Sequence, residues 1–500
     1  STPGGLKNAI TAANKDYTKI KNLKITGEIN AQDFYFMRDS MENLAALNLK
    51  EVIIKGGEQR LTGGAQGVYP HNDYEIPYEA LRGKKSLNLL VLPDKLTKIG
   101  IAAFADDQNI TGSLIIPEGV TEIEVGAFYD CRSMNGTLSL PSTLKYLGRG
   151  IDLWWYGGVF TYCGFTSELI LPNNLECIAG NNTFAGCEGL HGELRFPEKL
   201  TEISDGAFNG CKSLTGSITI PQGVHKLPTS VFQFCDNLNG TLTLPDGITS
   251  IGYNCFQGCA LKGELKLPKN LTVIADEVFN GCDFSGELVL PKTIRSIGKR
   301  AFANNWRLMG IVEFPEGLQS IGAGAFANCR MIEGLVFPES LESIRAENSY
   351  NEDGGAFQGC YGINSIVCKS DMPAYVQGKV FDGVAKDNFT LEVPESAISQ
   401  YQAATGWCDF KRIAAHHELV CRPSVACALS TEHKQTLTIN AEGEWEVASK
   451  PDWCEVSPAS GNKKTEVTLT IKGMVKNADS RDGKVVFRLK NKDYTHECSV

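Results

Sequence analysis

The chain has 500 residues, of which 42% are hydrophobic and 21% are charged, as is ordinary for a globular protein. Its formal net charge of −10 excludes the concentrated positive charge with which proteins bind nucleic acids or anionic membranes. We expect a chain that does not span a membrane, because no apolar run approaches the roughly 20 residues that cross a bilayer. The sequence begins at Ser1 without a methionine. We therefore expect that any signal peptide has been removed, and a lipid anchor could have been carried on that N-terminal segment.

A short sequence recurs at a nearly constant period through most of the chain. The segment GSLIIP at residues 112–117 returns as GTLSLP at 136–141, GSITIP at 216–221 and GTLTLP at 240–245. Successive prolines of this column lie 23 to 25 residues apart, except for 31 residues between Pro141 and Pro172. A period near 24 falls within the range of roughly 20–29 residues found in leucine-rich repeats. The column comprises Pro93, Pro117, Pro141, Pro172, Pro197, Pro221, Pro245, Pro268, Pro291, Pro315 and Pro338.

Each repeat predicts one coil of a solenoid. Leu114 and Ile116 alternate with outward residues, which is typical of a β-strand. Pro117 then ends the strand, because proline cannot donate a ladder hydrogen bond. In most coils a phenylalanine such as Phe128 follows the proline by eleven residues and supplies further inward apolar surface. No single coil can bury its own apolar side, so we expect about a dozen coils of 23–24 residues to stack around one core.

The repeat pattern L-x-I-P-x-G-(V/L)-x-x-I-x-x-x-A-F-x-x-C resembles the BspA-like leucine-rich repeats of bacterial surface proteins, over roughly residues 20–413. The resemblance implies an N-terminal cap and first strand at residues 1–50, where IKNLKITG (20–27) and LAALNL (44–49) lie. It implies that the solenoid occupies residues 51–413 and ends in a cap. That closing cap contains TLEVP at 390–394, Tyr401, Trp407, Phe410 and Ile413. The resemblance also implies a secreted or outer-surface location and contact with a host or microbial surface.

Many of the cysteines share one position of the repeat, three residues after the phenylalanine. Neighbouring coils are about 4.8 Å apart, so distance alone does not exclude disulfides along this column. Asp107, Asn305 and Val384 hold the same position in other coils, which favours buried free thiols that act as small apolar side chains. No CxxC pair is present, so the usual zinc spacing is missing, and we expect no metal and no cofactor. The column comprises Cys131, Cys163, Cys187, Cys211, Cys235, Cys259, Cys282, Cys329 and Cys360.

The repeat stops after Ile413, and a different domain follows. Residues 414–420 are predicted to be a linker, and the short strands of residues 421–500 predict a small β-sandwich, so that the whole fold is mainly β. The segments GEWEV (443–447), PDW (451–453), VSPASG (456–461) and RDGKV (481–485) resemble the BACON domain. That immunoglobulin-like family is common in Bacteroidetes and is named for presumed carbohydrate binding. Trp445 and Trp453 could pack between the sheets or contact a glycan.

Two interruptions of the repeat provide candidate binding residues. The Pro141–Phe160 and Pro338–Phe357 intervals are each eight residues longer than usual. The first insertion contains Trp154, Trp155 and Tyr156, which cannot all point inward. They could stack on a sugar, anchor a protein, or fold back as an apolar plug. The second insertion, with Glu347, Tyr350, Glu352 and Asp353, is polar and is expected to be solvated.

The outward face of the predicted strands is rich in hydroxyl groups, mildly acidic and free of aromatic residues. Glu168, Glu193 and Arg195 lie on it, two or four residues before a proline of the column. This face is either solvated, or it binds a protein or basic ligand, since a sugar lacks stacking partners there.

No sequence motif indicates catalysis. GxSxG and HExxH are absent, and GAGAFA at residues 322–327 matches a dinucleotide fingerprint only because it is part of the repeat. We therefore predict a non-catalytic adhesion or binding protein that recognises a protein or host-surface ligand through the solenoid. The alternative is a protein that binds polysaccharide or mucin glycans through the BACON-like domain or the aromatic insertion.

Overall fold

The computed structural model describes residues 2–60, 68–150, 157–345, 354–416, 419–422, 433–441, 443–472, 483–490 and 495–500. The chain divides into two compact units, Ser1–Ile413 and Ala414–Val500. Trp154, Trp155 and Tyr156 of the first insertion lie outside the described residues, as does the acidic segment 346–353 of the second.

The first unit begins with a cap of two helices and two parallel strands. In the second helix, the Asn30 side chain accepts a hydrogen bond from the Gln32 amide at 3.0 Å. The buried Asp33 carboxylate accepts from the amides of Asn30 at 3.0 Å and Leu6 at 2.9 Å, which joins the two helices. The elements are α1 (Leu6–Ala12), a 3-10 turn (Tyr17–Lys19), β1 (Asn22–Ile29), α2 (Ala31–Ser40) and β2 (Ala46–Ile54).

Short strands then recur with every coil of the solenoid. In chain order they are β3 (Gly57–Arg60), β4 (Val68–His71), β5 (Glu75–Ile76), β6 (Leu89–Val91), β7 (Lys98–Ile99), β8 (Leu114–Ile115), β9 (Glu122–Glu124), β10 (Leu138–Ser139), β11 (Tyr146–Arg149), β12 (Cys177–Ile178), β13 (Gly192–Glu193), β14 (Glu202–Ile203), β15 (Leu214–Thr215), β16 (Ile218–Thr219), β17 (Lys226–Leu227), β18 (Leu242–Thr243), β19 (Ser250–Ile251), β20 (Lys262–Gly263), β21 (Val273–Ile274), β22 (Asp283–Glu287), β23 (Ser296–Ile297), β24 (Arg307–Glu313), β25 (Ser320–Ile321), β26 (Met331–Phe337), β27 (Ser343–Ile344), β28 (Ser365–Cys368), β29 (Tyr375–Val376), β30 (Leu391–Val393) and β31 (Ile413–Ala415). A 3-10 turn (Glu395–Ala397) and α3 (Ile398–Ala403) precede β31.

The strands form two columns along the solenoid, and successive coils pair in parallel within each. The strands that precede the proline form the first column, in which Leu114 pairs with Leu138 and later strands follow the order β20-β22-β24-β26-β28-β30-β31. The second column contains β5-β7-β9-β11-β12-β14 and β21-β23-β25-β27-β29. This arrangement confirms the predicted solenoid, because each coil supplies one strand to each column.

Phenylalanine rings fill the third side of each coil. Neighbouring rings stack nearly parallel, from Phe104 on Phe128 (centroids 5.1 Å apart) to Phe357 on Phe381 (5.7 Å apart). Trp407 ends the stack at 5.3 Å from the Phe381 ring, and its Nε1 donates to the Ala374 carbonyl at 2.9 Å. The apolar core is therefore continuous and closed by the C-terminal cap.

The cysteine column lies beside these rings as buried free thiols. Each Sγ donates to the carbonyl of a phenylalanine in the preceding coil, as from Cys131 to Phe104 at 3.2 Å and from Cys187 to Phe160 at 2.9 Å. Within the described part of the chain, no cysteine of the column forms a disulfide. Asn305 holds the same position and uses its Nδ2 to donate to the Phe279 carbonyl at 2.8 Å. The position therefore favours a hydrogen-bond donor as well as a small side chain.

The second unit is a sandwich of two four-stranded antiparallel sheets, with orders β32-β33-β37-β35 and β36-β34-β38-β39. Trp445 is fully buried between them, with its ring 5.7 Å from that of Phe487. The strands are β32 (Leu419–Arg422), β33 (His433–Ala441), β34 (Glu444–Ser449), β35 (Cys454–Ser457), β36 (Ser460–Asn462), β37 (Thr465–Ile471), β38 (Lys484–Leu489) and β39 (Thr495–Ser499).

Candidate binding surface

The outward face of the first strand column contains the polar residues that the sequence singles out. Glu168, Glu193 and Arg195 are all exposed there. Arg195 donates from Nη2 and Nε to one carboxylate oxygen of Glu193, at 2.6 and 3.1 Å. These two side chains also line a depression of 660 Å³, whose lining includes Thr219. The structure therefore brings Glu193 and Arg195 together and places Glu168 one coil earlier.

The pair of Glu193 and Arg195 is available to a ligand. The side chain of Arg195 is 82% exposed and that of Glu193 is 45% exposed, so water screens the attraction between them. Exposed pairs of this kind contribute about 0–1 kcal/mol to folding. A charged ligand group can replace either partner at little cost to the fold.

Apolar side chains occupy the same face further along the solenoid, and a tryptophan lies in the turn that precedes them. Met309 and Met331 pair across β24 and β26 and are 38% and 47% exposed. Ile311 is 39% exposed beside them, and Trp306, in the turn before β24, is 56% exposed. We call Trp306, Met309, Ile311, Arg330 and Met331 the Trp306 patch.

Arg330 adds an available positive charge to the Trp306 patch. Its guanidinium carbon lies 5.8 Å from the centroid of the Trp306 ring, which permits a cation–π contact. Among the described residues, no carboxylate forms an ion pair with Arg330, whereas the neighbouring Arg307 pairs with Asp283 at 3.3 Å. The guanidinium of Arg330 can therefore bind an acidic group presented by a partner.

The sequence analysis did not single out the Trp306 patch, because it considered only the strand face, which it expected to be free of aromatic residues, and Trp306 lies in a turn. The spacing from the proline does not locate Met309 either, because the pairing of β24 with β26 shifts register between Gly310 and Ile311. Trp306 also lies before the strand that the pattern predicts. The sequence did show that a tryptophan stood in a turn position that is polar or small in most coils.

A second aromatic group adjoins the first insertion. The rings of Tyr129 and Tyr162 meet edge to face with centroids 6.4 Å apart, and the Arg132 guanidinium lies 5.6 Å from the Tyr162 centroid. Gly157, which directly follows the insertion aromatics, contacts the Tyr129 ring so closely that a Cβ there would lie 2.5 Å from it. The insertion therefore ends against an aromatic surface.

Neither tryptophan of the sandwich is fully exposed. Trp445 is fully buried, and Trp453 is partly buried and packs against the core. These positions favour the packing interpretation of the two residues over direct contact with a glycan.

Buried acidic groups elsewhere in the solenoid serve its structure. Burial raises the pKa of Asp107 well above its usual value, while its Oδ1 accepts from the Lys84 amide at 2.5 Å. Burial also raises the pKa of Glu124, which pairs with Lys98 at 2.6 Å. Among the described residues, no group of three or more histidine, cysteine or acidic side chains is arranged to hold a metal ion.

Several solved structures resemble this chain. A leucine-rich repeat protein from Bacteroides ovatus is 20% identical, with a TM-score of 0.49 over 72% of this chain and 98% of that one. A leucine-rich cell surface protein from Faecalibacterium prausnitzii is 20% identical, with a TM-score of 0.34 over 70% and 83% of the respective chains. The pneumococcal vaccine antigen PcpA is 15% identical, with a TM-score of 0.30 over 80% and 95%.

The repeat itself assigns the family. No curated protein sequence matches the chain. Within the described part of the chain, no helix has the length and apolar character needed to cross a membrane. The family model described as the BspA type leucine-rich repeat region (6 copies) matches residues 74–151, 156–285, 240–353 and 275–402, which is more than half of the sequence. The chain therefore belongs to the family of BspA-type leucine-rich repeat proteins.

Proposed function

We propose that this protein is a non-catalytic, secreted or surface-exposed binding protein whose solenoid recognises a protein on a host or microbial surface. The Trp306 patch is the observation that carries the proposal. Tryptophan, methionine and arginine are enriched at the centres of protein interfaces, and tryptophan and arginine dominate their binding energy. Exposed side chains of these types are concentrated on one face of a rigid repeat array, which suits recognition of an extended partner.

The positive charge of Arg330 favours an acidic group on the partner, while the exposed Glu313 and Glu333 lie on β24 and β26, the two strands of the patch. Arg330 has no carboxylate partner among the described residues. In the two coils before the patch, a depression of 560 Å³ is lined by Lys292, the exposed Val289 and Lys266, which pairs with Glu264 at 3.6 Å. A partner surface that presents an apolar side chain next to a carboxylate complements both features, although the net charge of the chain is negative.

A protein array gives the direct test. The full chain is screened against immobilised extracellular and cell-surface proteins, and each hit is measured by surface plasmon resonance. We expect Trp306→Ala to weaken the binding of a true partner at least tenfold and Arg330→Glu to slow its association. The matched control is Tyr253→Ala, which removes a 57% exposed aromatic that lines a separate depression. A hit that binds Trp306→Ala as tightly as it binds Tyr253→Ala contradicts the proposal.

A glycan-binding function is the second candidate, and the Tyr129–Tyr162 group supports it. Aromatic faces beside an arginine suit sugars, which stack on rings and form hydrogen bonds with polar neighbours. Trp154, Trp155 and Tyr156 immediately precede Gly157, so they are candidates to extend this surface. The BACON-like sandwich provides a second place for the same activity.

A glycan array distinguishes the two locations. The full chain is compared with the double variant Trp154→Ala/Trp155→Ala and with a chain that ends at residue 416. Loss of binding in the double variant assigns glycan recognition to the insertion, and loss in the shortened chain assigns it to the sandwich. Absence of binding by the full chain removes this candidate and leaves protein recognition.

A further inference from the structure

Two buried thiols of the sandwich meet where the edges of its two sheets come together. Cys421 lies on β32, an edge strand of one sheet, and Cys498 lies on β39, an edge strand of the other. These two strands contact each other although they belong to different sheets. Cys421 is 1% exposed and Cys498 is 0% exposed, and both belong to the core between the sheets.

We propose that Cys421 and Cys498 form a disulfide bond when the protein meets an oxidising environment, and that this bond joins the first and last strands of the sandwich. The Cys421 thiol is placed to donate a hydrogen bond towards the Cys498 sulfur, so the two side chains face each other within one core. The inference does not depend on the proposed binding function.

The environment of the pair differs from that of the solenoid thiols. In the column each sulfur donates to a backbone carbonyl, for example from Cys211 to Phe184 and from Cys235 to Phe208, both at 3.1 Å. A disulfide there would remove this S–H bond from each carbonyl and leave it only the backbone amide that it also accepts, from Cys187 for Phe184 and from Cys211 for Phe208. The Cys421 thiol instead has the Cys498 sulfur as its partner, and Cys498 also makes a long contact of 3.7 Å with the Ser499 carbonyl, so oxidation replaces weak contacts with a covalent bond.

The two thiols are suited to different steps of the exchange. The hydrogen bond from Cys421 lowers the pKa of Cys498, and the same contact, together with burial, raises the pKa of Cys421. The thiolate is the nucleophile in thiol–disulfide exchange, so Cys498 reacts first. Both strands are sheet edges, where local opening is easier than in the centre of a sheet, so a small oxidant can reach the sulfur.

The reaction balances with a low-molecular-weight disulfide such as oxidised glutathione. The Cys498 thiolate attacks one glutathione sulfur, which breaks the S–S bond of the oxidant and releases one glutathione thiolate. Cys421 then gives its proton to solvent, and its sulfur attacks the Cys498 sulfur and expels the second glutathione. The two protein thiols lose two electrons and two protons, and oxidised glutathione gains them as two glutathione thiols.

The position of the bond gives it a structural consequence. It closes a loop from Cys421 to Cys498, which spans nearly the whole unit Ala414–Val500. Long closed loops restrict the unfolded chain most, so we expect the oxidised sandwich to melt at least ~5 °C higher than the reduced one. The bond also joins the two sheet edges covalently.

Peptide mapping of the full-length protein tests the proposal. The chain is equilibrated with oxidised glutathione or with dithiothreitol at pH 8, alkylated in denaturant, digested and examined by mass spectrometry. We expect one cross-linked peptide pair, Cys421 with Cys498, only in the oxidised sample, and alkylated thiols at the solenoid column in both samples. Alkylation of both residues after oxidation overturns the proposal, as does a bond from either one to Cys454 or to Cys427, which lies outside the described residues.

Calorimetry of the same samples gives a second readout. The upward shift of the sandwich transition is expected to disappear in Cys421→Ser and to persist in Cys454→Ser, which alters a third buried thiol of the same core. A shift that survives in Cys421→Ser overturns the proposal. Should that variant fail to fold, the peptide map of the unaltered chain decides alone.

Discussion

At the scale of single residues, the cysteine column combines packing with hydrogen bonding. In most coils the buried phenylalanine carbonyl accepts a hydrogen bond from the backbone amide three residues later, as from Cys211 to Phe208 at 3.1 Å, and its second lone pair can take a further donor. Cysteine supplies that donor in most coils, and Asn305 supplies it with an amide in another. The free thiols of the column therefore contribute both their volume and their S–H group, whereas the sequence alone indicated only the volume.

Cys235→Ala and Cys235→Ser separate these two contributions. The alanine variant removes the S–H donor to the Phe208 carbonyl, which keeps the Cys211 amide, and leaves a small cavity, so we expect it to lower the free energy of unfolding by about 1–2 kcal/mol. The serine variant keeps a hydrogen-bond donor, so its free energy of unfolding is expected to fall less than that of the alanine variant. Urea denaturation of the full chain measures both. Equal losses in the two variants would show that the hydrogen bond contributes nothing.

Asp107 occupies the same position of the repeat with a buried acid. Its Oδ2 has no hydrogen-bond partner among the described residues, and burial raises its pKa well above the usual value. The folded state therefore keeps this proton at pH values where the unfolded chain has released it. Stability from this residue is greatest at acidic pH and falls as the pH rises above the ordinary aspartate range towards the raised pKa.

Asp107→Asn removes that pH dependence. Asparagine keeps an oxygen for the Lys84 amide and adds a donor, as Asn305 does in its own coil. We expect the variant to be more stable than the parent by about 1–2 kcal/mol at pH 7, with a difference that shrinks towards pH 4. Urea midpoints measured from pH 4 to pH 8 test this expectation. A difference that grows towards acidic pH has the wrong sign and contradicts it.

At the scale of elements, amide side chains link successive coils beside the phenylalanine stack. Asn209 donates to Gln233 at 3.4 Å, and Gln233 donates to Gln257 at 2.5 Å. From the other direction, Asn328 donates to Asn304 and Asn304 donates to Asn280, both at 2.9 Å. Both series end on the carboxylate of Glu277, which accepts from Gln257 and Asn280. The donor direction therefore reverses at the one member that can only accept.

Asn304 tests how much this series stabilises the turns. Its φ of 63° lies in the left-handed region, which glycine adopts freely and alanine adopts at a cost of about 1 kcal/mol. We expect Asn304→Gly to lower the free energy of unfolding by about 1 kcal/mol through loss of its two side-chain hydrogen bonds. Asn304→Ala should lower it by about 2 kcal/mol. Denaturation curves of both variants provide the comparison. If the glycine variant is as stable as the parent, the amide series adds no stability.

The repeat period allowed the strand columns to be predicted. It did not allow prediction of exposed side chains in the turns or of contacts between side chains on the outward face. Leu114 and Leu138 pair where the pattern places them, because the same apolar alternation recurs in every coil. Trp306 belongs to a turn, where its exposure depends on the paths of neighbouring coils, so no periodicity reports it. Similarly, Glu193 and Arg195 were predicted to face outward, but their ion pair is a matter of side-chain geometry.

At the scale of the whole first unit, a continuous core requires closure at both ends. Each coil covers its neighbours, so the terminal coils would expose a complete cross-section of phenylalanine and leucine side chains. The N-terminal cap covers one end with Phe34 and Met37 of α2, both fully buried. Trp407 covers the other, with its ring 5.3 Å from Phe381 and 6.0 Å from Phe337.

Trp407→Ala is expected to open the C-terminal end of the core. The substitution removes a side chain that is 1% exposed and leaves the Ala374 carbonyl without its indole donor. We expect the free energy of unfolding to fall by about 3–5 kcal/mol, which is typical when a large aromatic residue is removed from a core. We also expect increased binding of a hydrophobic dye. Thermal melts and dye fluorescence of the full chain measure the two effects.

Trp306→Ala is the matched control for that experiment, since it removes the same side chain from the side of the solenoid, where it is 56% exposed. Its cost should be below about 1 kcal/mol, because surface substitutions rarely exceed that. If the tryptophan acts by closing the end of the core, its position matters. The losses in free energy of unfolding of the two variants must then differ by at least about 2 kcal/mol. Comparable losses would mean that the end of the solenoid is no more sensitive than its side, and that the cap is dispensable.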